Sequence, residues 1–349
     1  MKLIGINSIL VVCGCAALTC CTITSYPSPV ARAESTRAAN AAAPARVDAQ
    51  LRRKILALDP DRITEQQVAQ VLSKAPAPQI VNIHGGVYGV HVFMRDFSSF
   101  LLQMGYPEGK TRLPGNKRSY SPYMDENKVA GAVAWFYERD RIPVIMVGHS
   151  QGGVQMMKIL HRLAGTDERG PLFVWNPEVG NFEDRVVIIN PETGRPALIK
   201  DTQPVIYANS VGAGGATLLM PNQWSMKKRS RSVPDSTASL TGFFLPADFL
   251  GGGLRGPQGS NRYRPMGRAE VRNVKLTFGS EHVTVPVTRN LAKDPRSRAW
   301  ISAYHPSGGH RLPANYRGPR RNLLWAAITW YEVKKHWCLA AQEFVRRQG

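Results

Sequence analysis

The residues best suited to chemistry in this 349-residue chain gather at Gly148-His149-Ser150-Gln151-Gly152-Gly153, a G-x-S-x-G sequence. A serine in this pattern sits on a tight strand-to-helix turn that projects its hydroxyl above a sheet. The glycines let backbone segments crowd together where a Cβ would clash. The backbone N–H of Gln151, at the start of the following helix, can face an oxyanion developing beside Ser150. The pattern alone is weak, since it arises by chance in roughly one chain in ten of this length. Its setting is what gives it weight. Ile142-Pro143-Val144-Ile145-Met146-Val147 precedes it as an unbroken apolar strand, and Gln151–Leu163 follows with helical spacing. The alternative is a glycine-rich turn carrying a solvated serine.

With that setting, the chain resembles the α/β-hydrolase superfamily in its lipase and esterase branch, over residues 76–349. The resemblance rests on Gly148–Gly153 and on Ile83-His84-Gly85-Gly86, a strand end that runs into glycines. It implies that Gly86, or its neighbour Val87, supplies the oxyanion donor that complements Gln151. It also implies a base and an acid downstream of the serine, the acid first. Of the eight histidines, His84 and His91 precede Ser150, His149 adjoins it, and His161 and His336 fall on helices. These five read as packing or surface residues. That leaves His282, His305 and His310. Two constellations fit. In one, a strand at Phe243-Phe244-Leu245-Pro246 presents Asp248, and Gly279-Ser280-Glu281 leads to His282 after a strand at Val274–Phe278. In the other, Glu281 is the acid and His310 the base. The favoured triad is Ser150, Asp248 and His282.

These side chains need a frame. Apolar bursts at 80–83, 142–147, 205–207 and 274–278 alternate with helical patterns at 97–104, 128–139 and 151–163, and a terminal helix is expected over 322–347. Such alternation argues for α/β architecture, with a mostly parallel sheet flanked by helices. The resemblance narrows this to the α/β-hydrolase fold with an inserted lid or loop region. Residues 213–265 show no long periodic segment and read as that insertion. Phe243, Phe244, Leu245, Phe249 and Leu250 are candidates there for an acyl pocket, or else for core. Residues 48–74 read as a helical arm, its second helix opened by a capping box at Thr64-Glu65-Gln66-Gln67.

Lys2, the apolar run Leu3–Ile23 and Ala31-Arg32-Ala33 together read as a secretory signal peptide over residues 1–33, followed by an Ala-rich tether. An uncleaved anchor and a lipidated cysteine are the competing readings. The expectation is an exported protein, periplasmic or secreted. Four of the five cysteines lie in this segment, so only Cys338 remains and no internal disulfide can form. The segment carries Lys2, Arg32 and no acid, so its loss takes the formal charge from +20 to +18. A hydrophobic content of 43% excludes a disordered chain. No zinc-protease, phosphate-loop or dinucleotide pattern is present, so no metal or cofactor is expected. The positive charge suggests an anionic membrane or envelope surface as a partner. No recognised nucleic-acid module accompanies it. The expected activity is hydrolysis of carboxylic esters, acyl or lipid esters foremost. An acyltransferase or amidase on the same fold, or a binding module that has lost catalysis, is the alternative.

Overall fold

A computed structural model describes residues 47–87, 89–252, 256–277, 279–309 and 312–348. The expected signal segment and tether, together with His310 and Phe278, lie outside the described residues. Five parallel strands form the central sheet: β1 (Ile80–Ile83), β2 (Val144–His149), β3 (Val205–Val211), β4 (Thr237–Phe244) and β5 (Glu270–Lys275). Their spatial order follows their order in the chain. Among the described residues the α-helices are α1 (Ala49–Leu56), α2 (Glu65–Gln70), α3 (His91–Gln103), α4 (Glu126–Asp140), α5 (Gln151–Leu163), α6 (Arg289–Lys293), α7 (Pro295–Ala303) and α8 (Leu323–Arg346).

That strand order decides the layering. Parallel neighbours joined by right-handed crossovers, always stepping the same way, carry their connections on a single face. One core accordingly packs α4 and α5 against Val81, Ile83, Met146, Ala208 and Leu240. The opposite face is covered by α3, which departs from that pattern within the β1–β2 connection, and by α8 and the N-terminal arm, against Ile80, Ile145, Val147, Tyr207 and Phe243. β2 alternates its side chains between the two cores, which is why it reads as continuously apolar. Helix α8 is buried along almost its whole length, as expected of a helix enclosed on all sides. None of the described helices is long and apolar enough to cross a membrane.

The arm is part of this body. The expected capping box at α2 forms from both halves, with Gln67 N donating to Thr64 Oγ1 at 3.2 Å and Thr64 N to Gln67 Oε1 at 2.9 Å. Ile55, Leu58, Val68 and Leu72 join the core under α8. Gln342 Nε2 donates to the carbonyls of Ile55 and Leu58, and Lys334 Nζ to that of Ile63. The helical arm is thus fastened to the last helix of the fold.

The stretch 213–265 differs most from its sequence reading. Its centre is β4, a buried strand of the main sheet, rather than an insertion without regular structure. Two excursions flank it. The first holds short 3-10 turns at Gly215–Leu219 and Pro221–Met226. The second carries Asp248. Phe243, Phe244 and Leu245 are core residues, whereas Phe249 and Leu250 are exposed. The late strand is displaced as well, to Glu270–Lys275, because its register follows β4 from Glu270 opposite Ser239.

Candidate active site

The loops that follow β2, β4 and β5 come together beyond the carboxyl edge of the sheet, where ligand sites of parallel α/β folds form. Ser150 follows β2 directly, with φ 55° and ψ −125°. A non-glycine residue at positive φ costs on the order of 1–3 kcal/mol and persists only where its surroundings enforce it. Here Ser150 N donates to the Val211 carbonyl at 2.8 Å, and the Ser150 carbonyl accepts from Gly153 N at 2.9 Å. The neighbouring glycines permit the crowding. A Cβ on Gly148 would stand 2.6 Å from Gly153 Cα, and one on Gly152 would overlap the Ile83 and His84 carbonyls.

Ser150 Oγ lies 2.7 Å from His282 Nε2, and His282 Nδ1 lies 2.9 Å from Asp248 Oδ2. With a carboxylate on Nδ1, the ring carries its proton there, and Nε2 accepts from the serine hydroxyl. The Asp248 side chain is 2% exposed. Its other oxygen accepts from Gly251 N at 2.8 Å. Glycine is required at 251, since a Cβ there would overlap Asp248 Oδ2. The carboxylate is thereby oriented by the turn that follows it.

The expected oxyanion elements flank the serine. Gln151 opens α5, whose first N–H groups have no partner within the helix. Two of that turn, on Gly153 and Val154, bond back to the Ser150 carbonyl. On the other side, a Cβ at Gly85 would lie 3.3 Å from Ser150 Cβ, and one at Gly86 would overlap Gln151 Oε1. The His84–Gly86 loop and the start of α5 therefore close against each other over the serine. Val87 continues this loop and is exposed.

The competing acid Glu281 and the base candidate His305 fall elsewhere. Glu281 is exposed and paired with Arg321. His305 caps the short turn Pro306–Gly308. His310, the other member of that constellation, lies outside the described residues.

Three contributors escape a sequence reading. His149, taken for a bystander, donates from Nε2 to the His282 carbonyl at 2.6 Å. The ring is buried, and burial together with the neighbouring His282 pushes its pKa down to about 3. It is therefore neutral, and its second nitrogen, Nδ1, is buried without a partner among the described residues. Tyr123 donates its hydroxyl to the Gly86 carbonyl at 2.9 Å, and Asn222 accepts from Gln151 Nε2 at 3.0 Å. The only available signal was the position of His149 inside the motif. The partners of the other two lie 37 and 71 residues away.

Apolar side chains surround these loops. Leu219, Trp224, Phe249, Leu250, Val87 and Val283 are all exposed. The Thr217 N to Leu250 carbonyl bond, 3.4 Å, joins the 215–226 segment to the Asp248 turn. Among the described residues, no group of three or more His, Cys, Asp or Glu could hold a metal ion. Comparisons of the chain with protein-family models, with curated proteins and with solved structures find no match.

Proposed function

We propose that the chain is an exported serine hydrolase of α/β-hydrolase type that cleaves carboxylic esters through an acyl-enzyme. The observation that carries this reading is the continuous chain of short contacts from Ser150 Oγ through His282 to Asp248. Ser150 attacks the ester carbonyl while His282 Nε2 takes its proton. Asp248 keeps the imidazole in the required tautomer and stabilises the imidazolium. The N–H groups of Gln151 and Gly86 stabilise the tetrahedral oxyanion. Collapse expels the alcohol, which receives the proton from His282. Water, deprotonated by the same imidazole, then attacks the acyl-enzyme, and the carboxylic acid leaves as Ser150 regains its proton.

The exposed apolar residues around the site favour substrates with an acyl chain, and acyl or lipid esters fit best. The test is Ser150→Ala with a p-nitrophenyl ester panel of graded chain length. The expected outcome is a folded protein with turnover reduced on the order of 10^5-fold and no labelling by a fluorophosphonate. Turnover by the variant at the wild-type rate refutes the assignment. A wild-type protein that neither turns over esters nor takes the label is a binding module on this fold.

A further inference from the structure

The loop that abuts Ser150 also borders a second space. His84 lines a cavity of about 640 Å³ whose other walls come from α3 and residues 112–124. Arg95, Arg112, Lys117 and Arg118 converge on it, with His91 beside His84 at 6.1 Å between ring centroids. Among the described residues, one carboxylate answers these four cations. Glu108 is bound to Arg112 and stands 3.9 Å from Arg118 Nη2. No described carboxylate lies within ion-pair distance of Arg95 or Lys117.

Concentrating like charges around a concavity costs free energy, and a solvated basic face would spread them apart. Two guanidinium groups are also incompletely satisfied. Arg118 Nη1 and Arg112 Nε are shut off from solvent with no hydrogen-bond acceptor among the described residues. Buried donors of this kind are rare, but being shut off from solvent they do not face the cavity, and the cations there without a carboxylate of their own are Arg95 and Lys117. Guanidinium forks match the oxygens of phosphate and carboxylate, to which they form strong charge-assisted bonds.

We infer that this cavity is an anion subsite of the active site, which takes a phosphate or carboxylate group carried by the ester substrate. The inference rests on the hydrolase reading and narrows it to amphiphilic esters, with an acyl part and an anionic part. His84 links the two spaces. It contributes to the basic cavity, while Gly85, next to it, packs on the serine.

Binding is measurable without catalysis. Inorganic phosphate is titrated calorimetrically into the full chain carrying Ser150→Ala, alone and combined with Arg118→Gln. The expected result is saturable binding that Arg118→Gln weakens about tenfold, the loss of one charge-assisted bond. Lys54→Gln, at an exposed position of α1, removes the same charge elsewhere and leaves the affinity unchanged. Should Arg118→Gln not fold, Arg95→Gln with Lys117→Gln takes its place. Absence of phosphate binding, or equal weakening by Lys54→Gln, overturns the inference. The second arm compares acyl esters of one chain length whose alcohol is neutral, carboxylated or phosphorylated. The expectation is a lower KM for the anionic esters, a preference lost in Arg118→Gln while turnover of the neutral ester is kept. The better of the two anionic esters identifies the group. Phosphate that changes neutral-ester turnover without competing with the anionic ester marks a free-anion effector and overturns the substrate assignment. Failure of all ester turnover with phosphate binding intact strikes the hydrolase reading and leaves the anion site standing.

Discussion

Glu281 is next to His282 in sequence and Asp248 is 34 residues away, yet it is Asp248 that holds the imidazole. The two carboxylates occupy opposite environments. Asp248 is buried, with one oxygen on His282 Nδ1 and the other on Gly251 N. Glu281 is exposed, and Arg321 answers it at the surface. An acid that orients a base must itself be held still, and a buried carboxylate with both oxygens engaged meets that need. An exposed ion pair does not, because water and salt compete for it at little cost. On the proposed hydrolase reading, burial and orientation, rather than proximity along the chain, select the acid.

Breaking the buried side of this comparison should have the largest effect. Asp248→Asn keeps the shape of the turn but replaces an acceptor by an amide that can donate to Nδ1. The imidazole is then driven to the tautomer with its proton on Nε2, where it cannot accept from Ser150. The expected loss is on the order of 10^4 in kcat, with KM little changed. A loss of less than tenfold in steady-state assays removes Asp248 from the triad.

His149 tests whether the base needs fixing from its backbone as well as from its ring. Its N–H anchors the His282 carbonyl to the residue before the nucleophile. His149→Phe keeps the bulk and removes that donor. A displacement of about 1 Å at the base can cost on the order of 10^2-fold, so kcat should fall between tenfold and a hundredfold at steady KM. His149→Gln, which restores a donor, should recover part of that loss. Unchanged kcat in His149→Phe reduces His149 to packing.

The same ring gives a stability signature. Its ordinary pKa of 6.5 is pushed down to about 3 in the fold, and that of His336, buried on α8, to about 4. Below pH 6.5 the unfolded chain binds protons that the folded chain refuses. Unfolding therefore takes up protons, and stability falls as the pH drops from 6.5 toward 4. Each such histidine contributes up to about 1.4 kcal/mol per pH unit across that window. Urea unfolding at pH 6.5, 5.5 and 4.5 should show a shallower slope for His149→Phe than for wild type. Parallel slopes for the two proteins mean that His149 is not neutral in the fold.

What could be read from sequence follows the range of each interaction. The elbow was legible because strand, glycines and helix are contiguous, and so was the α2 capping box, four residues long. Asp248 and His282 were reached through a resemblance that supplied their order. Only the end of β4, Phe243-Phe244, was legible, because Thr237, Ser239, Thr241 and Gly242 interrupt the hydropathy of the rest. Thr237 and Thr241 are buried all the same, and Gly242 is there because the Tyr263 ring leaves no room for a Cβ. A central strand can be polar when neighbouring strands satisfy its backbone, and a hydropathy reading cannot see that. His149 stayed invisible for a different reason, since its partner lies 133 residues away.

The exposed half of the comparison predicts the smallest effect. Glu281→Gln removes the pairing with Arg321 but leaves His282, Asp248 and Gly251 untouched. An exposed pair contributes about 0–1 kcal/mol, so the urea midpoint should barely move. The carboxylate bonds to Arg321 at the surface rather than to the base, so kcat should stay within about twofold of wild type, a change of less than roughly 0.5 kcal/mol in the barrier. A loss of tenfold or more would mean that Glu281 acts on a base directly. It would reopen the pairing of Glu281 with His310, and a kcat lost in His310→Ala but kept in His282→Ala would then transfer the triad to that pair.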